Sequence, residues 1–280
     1  FALVASDTTH KHTALFVHFP DEGRPHAVVG WAGVLWGFSG MNDAGLTYMV
    51  NPSDTLDNPL AGQVKQRAMY AKLLLTGIPV GIEGRRLLTR AETVDTARAM
   101  LEAEEHTFGW NLLLGDARGG LVAAELDANI LEEGDGGCIT FQPDADDPDN
   151  LDEYGRLYGS VGGDDLRIGT HFQKNVPDID TRILVFDVQP QRTWSSFYYR
   201  SLRAHAILGD QIARRYGSLD LEGMYATLRT PGLVDIRDSM NAVVYEPEDG
   251  VLHHAMGQVP ATDGPFRAFD LASVAAEAAP

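Results

Sequence analysis

The sequence predicts an α+β protein with helices laid on stacked antiparallel sheets. Two observations carry the class. Hairpin signals alternate along the chain with helical pairs, and no Gly-rich phosphate loop or parallel β–α–β succession occurs. Length supplies the third. The 280 residues hold no low-complexity linker, so residues 1–280 read as one domain.

The elements follow in order. Residues 14–20 and 26–31 are β-prone runs around the turn cluster Asp21-Glu22-Gly23-Arg24-Pro25. Residues 34–38 and 46–50 flank a Gly- and Asn-rich turn at 40–45 and predict a second hairpin, which stops at Asn51-Pro52. Ala68, Met69, Ala71, Leu73, Leu74 and Leu75 recur at helical spacing. A further helix is predicted with Thr93 as its cap and Val94, Ala97, Met100 and Leu101 facing inward. The clearest hairpin is 110–115 with 120–126 around Asp116-Ala117-Arg118-Gly119. Residues 134–165 read as an acidic, Gly-rich loop insertion. Its block from Asp144 to Glu153 lacks EF-hand spacing, so a solvated loop is expected. Residues 182–187 read as a strand, 195–216 and 219–228 as helices, and 240–245 with 251–256 as a last hairpin. The Ala-rich end, 272–280, is expected to fray.

Composition excludes several function classes. With 40 acidic against 22 basic residues the net charge is −18, which argues against nucleic-acid and anionic-membrane binding. No window approaches the roughly 18 consecutive apolar residues of a membrane span. Cys138 is the only cysteine, so intramolecular disulfides and multi-thiolate zinc sites are excluded. The chain starts at Phe1 without Met, basic region or cleavage signature, and reads as processed or truncated. A secreted or periplasmic protein would begin this way after processing, but the sequence does not fix the compartment.

Four candidate chemistries compete. Ser39, Asp235 and His253 run in the order Ser…Asp…His, yet Gly37-Phe38-Ser39-Gly40-Met41 lacks the last glycine of a nucleophile elbow and opens a turn. Cys138 is either a thiol nucleophile or an inert strand residue with no histidine nearby in sequence. His253 and His254 are adjacent on a strand and point to opposite faces, so no metal site is expected. Arg200 and Arg203 share a helix face that suits either an anion or a surface salt bridge. Asn51 stands apart: an amide at the end of a buried strand, followed by Pro52, is a rigid mount for a group aimed at a substrate.

In order along the chain, Gly40-Met-Asn-Asp-Ala-Gly-Leu-Thr-Tyr-Met-Val-Asn51, residues 87–97, Asn111-Leu-Leu-Leu-Gly-Asp-Ala-Arg-Gly with Glu125, Ser201-Leu-Arg203, Asp238-Ser-Met with Val243-Val244, and Ala255-Met-Gly-Gln-Val-Pro-Ala261 resemble a known set. It is that of the penicillin acyltransferase-like group, relatives of isopenicillin N acyltransferase and, more distantly, of choloylglycine hydrolases and penicillin V acylases. The resemblance spans roughly residues 14–271. It implies a four-layer αββα sandwich of the N-terminal nucleophile (Ntn) hydrolase type, without a cofactor. An autoproteolytically exposed Cys would attack an amide or thioester, with its own α-amine as base. Asn51 matches the asparagine that donates to the oxyanion, and Arg203 the arginine near the nucleophile. The family's Thr-Asn-His-Phe is Gly169-Thr170-His171-Phe172 here, so Thr170 or His171 takes the place of the second amide. Trp36, Tyr48, His171 and Phe172 are expected to contact the acyl group.

The family's leading Cys and its Arg-Asn-Leu-Asp-Trp-like segment have no counterpart in the sequence. The expectation is therefore an amide hydrolase or acyltransferase acting on a small acyl-amide, its nucleophile on a preceding segment or second chain. The alternatives are an inactive binding or structural protein of the same fold, and a thiol enzyme using Cys138.

Overall fold

Turn chemistry lays down the larger sheet. The computed structural model describes residues 9–34, 36–53, 77–107, 109–127, 138–141, 197–234 and 239–278. Strands β1 (Thr13–His18), β2 (His26–Trp31), β3 (Ser39–Asn42), β4 (Thr47–Ser53), β5 (Gly109–Gly115), β6 (Leu121–Asp127) and β7 (Cys138–Phe141) pair antiparallel in sequence order. The expected strand over 34–38 is displaced. Gly33 at φ +88° turns the chain, Val34 and Trp36 are exposed, and β3 begins only at Ser39. Strand β4 also continues through Asn51 and Pro52 to Ser53, so Asn51 lies within the sheet, opposite Asn111. The helical spacing from Ala68 to Leu75 and the expected strand over 182–187 lie outside the described residues, as does the insertion over 134–165 apart from β7.

The β3–β4 turn is tied to the helix layer by one side chain. Asn42, fully buried, donates through Nδ2 to the carbonyls of Leu88 (2.9 Å) and Ala91 (2.7 Å). Its Oδ1 accepts from the Ala44 and Leu46 N–H groups at 3.1 and 3.0 Å. Gly40 is required beside it, since a Cβ there would lie 2.6 Å from both the Ala27 carbonyl and Leu88 Cδ1.

Helices α1 (Val80–Arg90) and α2 (Val94–Glu102) cover one face of this sheet. Thr93 caps α2 as expected, accepting from the Thr96 N–H. Asp116 adds a second cap from the β5–β6 turn, accepting from Val94, Arg118 and Gly120. Burial opposes charge on Asp116, but these backbone donors hold its carboxyl below the ordinary value. Leu87, Leu88, Ala97 and Leu101 pack onto Val28, Tyr48, Leu112, Leu114, Ala124 and Leu126, the side chains of one strand face. Area burial of this kind contributes about 25 cal/mol per Å².

One charged group sits inside that layer. Glu83 is fully buried on α1, near Arg86, which also pairs with Glu104. Burial, reinforced by the Glu104 carboxylate, pushes Glu83 up to about 7 against the pull of Arg86 and Arg90. A raised folded-state value means its contribution is full below the unfolded value and lost as pH rises through about 7. Glu83→Gln, a mimic of the neutral form, is therefore expected to raise Tm relative to wild type at pH 8 and to match it at pH 4. Thermal melts at both pH values check this, and a constant difference would contradict it.

The second sheet is β8 (Asn241–Glu246), β9 (Val251–Met256) and β10 (Arg267–Asp270), in the order β10-β9-β8. Helices α3 (Phe197–Arg215) and α4 (Leu221–Leu228) follow the expected spans, with Asp220 capping α4 through the Gly223 N–H at 2.8 Å. Tyr225 of α4 meets His253 of β9 edge-on at 5.9 Å, which places this helix on the sheet's outer face. The inner face packs on the larger sheet through Leu252 and Tyr245 against Ala27, Met41, Leu15 and Val17. The layer order is thus α, β, β, α. Residues 272–278, expected to fray, form a helix instead: Asp270 accepts from the Ala272 and Ser273 N–H groups, and buried Leu271 starts helix α5 (Leu271–Ala278).

Candidate active site

Strand alternation decides what faces the gap between the sheets. On β4, Tyr48 and Val50 turn toward α1 and α2, so Thr47, Met49 and Asn51 turn toward the second sheet. On β3 the same register puts Ser39, opposite Met49, on the inner side. On β8, Tyr245 packs inward, and with it go Asn241 and Val243. These residues meet at a cavity of about 150 Å³. Val29, Ser39, Met49 and Asn51 form one wall, Asn241, Ala242 and Val243 the other, and Phe38 and Val50 close the end. A cavity of that size admits a six-carbon group.

The polar side chains that line it, Ser39, Asn51 and Asn241, are neutral donors and acceptors. Ser39 Oγ and Tyr245 OH lie 2.5 Å apart and bridge the two sheets. Burial raises the Tyr245 phenol well above its ordinary range, so it stays protonated and offers no base to Ser39. Asn51 is half-buried and continues a cross-strand row through Asn111 on β5 and Glu125 on β6, both fully buried. His254, opposite Val243 in register, is buried on the same inner side, and neither ring nitrogen has a hydrogen-bond partner among the described residues. Burial lowers it to about 4, so its imidazole is neutral near pH 7.

The structure sorts the sequence-derived candidates. Asn51 is at the cavity. Tyr48 is not: it is buried on the helix side, where its phenol donates to the Gly37 carbonyl and its ring lies against Gly84 of α1, too close for any Cβ there. A strand buried on both faces gives no sequence signal of which face meets the helices, and that ambiguity misplaced it. Trp36 is exposed over Gly81 and touches the cavity only through its edge-on contact with Phe38, 6.3 Å between centroids. Arg203 is exposed on α3 with its guanidinium against Gly232, and is not among the cavity residues. Thr170, His171, Phe172 and Asp235 lie outside the described residues.

The serine triad is not assembled by its described members. His253 points outward, its Nε2 at 2.5 Å from Glu246, whereas Ser39 points inward. Cys138 is equally remote from the cavity's face. It packs in the helix-side core, and burial, with Glu102, Glu125 and Glu83 adding to it, pushes its thiol up to about 12. A thiol held there is inert near neutral pH. No cluster of metal-ligating side chains occurs among the described residues. Nor is any described helix long and apolar enough to cross a membrane. Asn241 escaped the sequence reading. It is a polar residue at the first position of a strand, and only the stacking of the two sheets brings it to the cavity that Asn51 lines.

Comparison with known proteins adds to this geometry. Residues 6–132 match the family model of acyl-coenzyme A:6-aminopenicillanic acid acyl-transferase. Among solved structures, an N-acylethanolamine-hydrolyzing acid amidase ortholog from Caenorhabditis elegans is similar at a TM-score of 0.53 and 10% identity, over 96% of this chain and 92% of that one. A penicillin V acylase from Agrobacterium tumefaciens gives 0.47 at 14% identity, covering 94% and 80% of the two chains. A conjugated bile acid hydrolase from Clostridium perfringens gives 0.48 at 13%, covering 94% and 85%. The curated proteins contain no match.

Proposed function

We propose that this chain, similar over residues 6–132 to the acyl-coenzyme A:6-aminopenicillanic acid acyl-transferase family model and similar in fold to an N-acylethanolamine-hydrolyzing acid amidase, acts on amide bonds by acyl transfer to water or an amine. One observation carries the reading. Asn51 is held by strand pairing with Asn111 of β5 and lines a mostly apolar cavity between the sheets. Its amide N–H can donate to a carbonyl oxygen that becomes an oxyanion, and a donor that needs no reorganisation favours the transition state over the ground state.

In this reading the attacking group is an N-terminal thiol supplied by a preceding segment or second chain. Among the described residues the one cysteine is buried on the far side of the sheet and Ser39 meets only the protonated Tyr245, which supports it. Its α-amine takes the thiol proton, the sulfur adds to the carbonyl carbon, and Asn51 holds the resulting oxyanion. Collapse breaks the C–N bond and returns the proton to the departing amine. Water or another amine then attacks the thioester and restores the thiol. Apolar lining by Val29, Phe38, Met49, Val50 and Val243 suits an apolar acyl group.

Intact mass of the active protein tests the reading. A second polypeptide, or a longer one, that begins or is cut beside a Cys is expected, together with hydrolysis of N-hexanoyl amides that persists in Cys138→Ala. A lone chain of 30.5 kDa without turnover contradicts it, and would leave a binding protein of this fold.

A further inference from the structure

The cavity carries two amide side chains on facing walls: Asn51 on β4 of the larger sheet and Asn241 on β8 of the smaller. Both are half-buried, and Asn241 makes no side-chain hydrogen bond to a described residue. The rest of the lining is apolar except for Ser39, whose hydroxyl is engaged by Tyr245. An asparagine offers a carbonyl acceptor and an NH₂ donor. A secondary amide in the trans form presents its C=O and N–H in opposite directions across the peptide plane. Two amides on opposed walls match that pattern, one donating to the carbonyl and the other accepting from the N–H.

We propose that Asn241 is a substrate-contacting residue whose Oδ1 accepts the N–H of the scissile amide while Asn51 Nδ2 donates to its carbonyl. This rests on the amide reading above and narrows it: the site selects secondary amides over carbonyl compounds that lack an N–H. A half-buried acceptor left without its donor costs binding, so discrimination against the isostere of about tenfold is expected.

The test compares N-methylhexanamide with 3-octanone, in which CH₂ replaces NH at the same length, by calorimetric titration into the protein. The wild type is expected to bind the amide about tenfold more tightly than Asn241→Leu does, with ketone affinity changed less than twofold. Asn51→Leu is expected to leave the amide-to-ketone affinity ratio at its wild-type value. Because the readout is a ratio within each variant, loss of folded protein does not move it. Equal loss of both probes in Asn241→Leu overturns the proposal, as does an unchanged ratio or no binding of either probe by the wild type. If the ratio behaves as expected but the active protein cleaves no amide, the amidase reading fails and the assignment of Asn241 as an amide-reading residue stands.

Discussion

Asn51→Leu is expected to lower kcat on an amide substrate by roughly 100- to 1,000-fold, about 3–4 kcal/mol of transition-state stabilisation. KM should change little, because the ground-state carbonyl is held mainly by burial of the acyl group in the cavity. Leucine has the same branched arrangement of side-chain heavy atoms as asparagine, and position 51 is half-buried on an inner strand face, so the fold should persist. Circular dichroism and the melting curve confirm folding, and steady-state kinetics separate kcat from KM. A kcat within about fivefold of wild type would remove Asn51 from the oxyanion role.

Asn42→Ala is expected to cost about 3–5 kcal/mol of stability, the largest effect of any substitution considered. Four hydrogen bonds converge on this buried amide. Alanine would leave the Leu88 and Ala91 carbonyls at the end of α1, and the Ala44 and Leu46 N–H groups in the turn, without those partners. Each orphaned buried group costs about 1–3 kcal/mol, less than additively because water enters the space left behind. Urea unfolding should show a lower midpoint at unchanged slope. Activity per folded molecule should survive at low temperature, because Asn42 faces the helices and Asn51 the opposite sheet. A loss below 1 kcal/mol would show that the turn holds itself without the helix.

The sequence made the larger sheet legible because its turns are chemically marked. Asp21-Glu-Gly-Arg-Pro25 and Asp116-Ala-Arg-Gly119 join strands where expected, and Thr93 starts α2. The motif around Asn42 carried the family resemblance, yet most of it is structural: Gly40 admits the helix and Asn42 fastens it. What remained hidden depends on tertiary placement. Period two alone does not say which face of a doubly covered strand meets helices, so Tyr48 read as an acyl contact. Apolar residues 34–38 read as a strand, but the chain turns at Gly33 and Trp36 lies over Gly81 of α1 instead. Asn241 carries no local signal at all; its meaning comes from a sheet nearly two hundred residues away in sequence.

The most direct test of the account is to locate the acyl group. The active protein is incubated with p-nitrophenyl hexanoate, quenched in acid and digested, and the modified peptide is identified by mass spectrometry. The account predicts a hexanoyl thioester on an N-terminal Cys outside these 280 residues, with its accumulation slowed in Asn51→Leu. Hexanoyl on Ser39 or Cys138, at full stoichiometry and insensitive to Asn51, would contradict it.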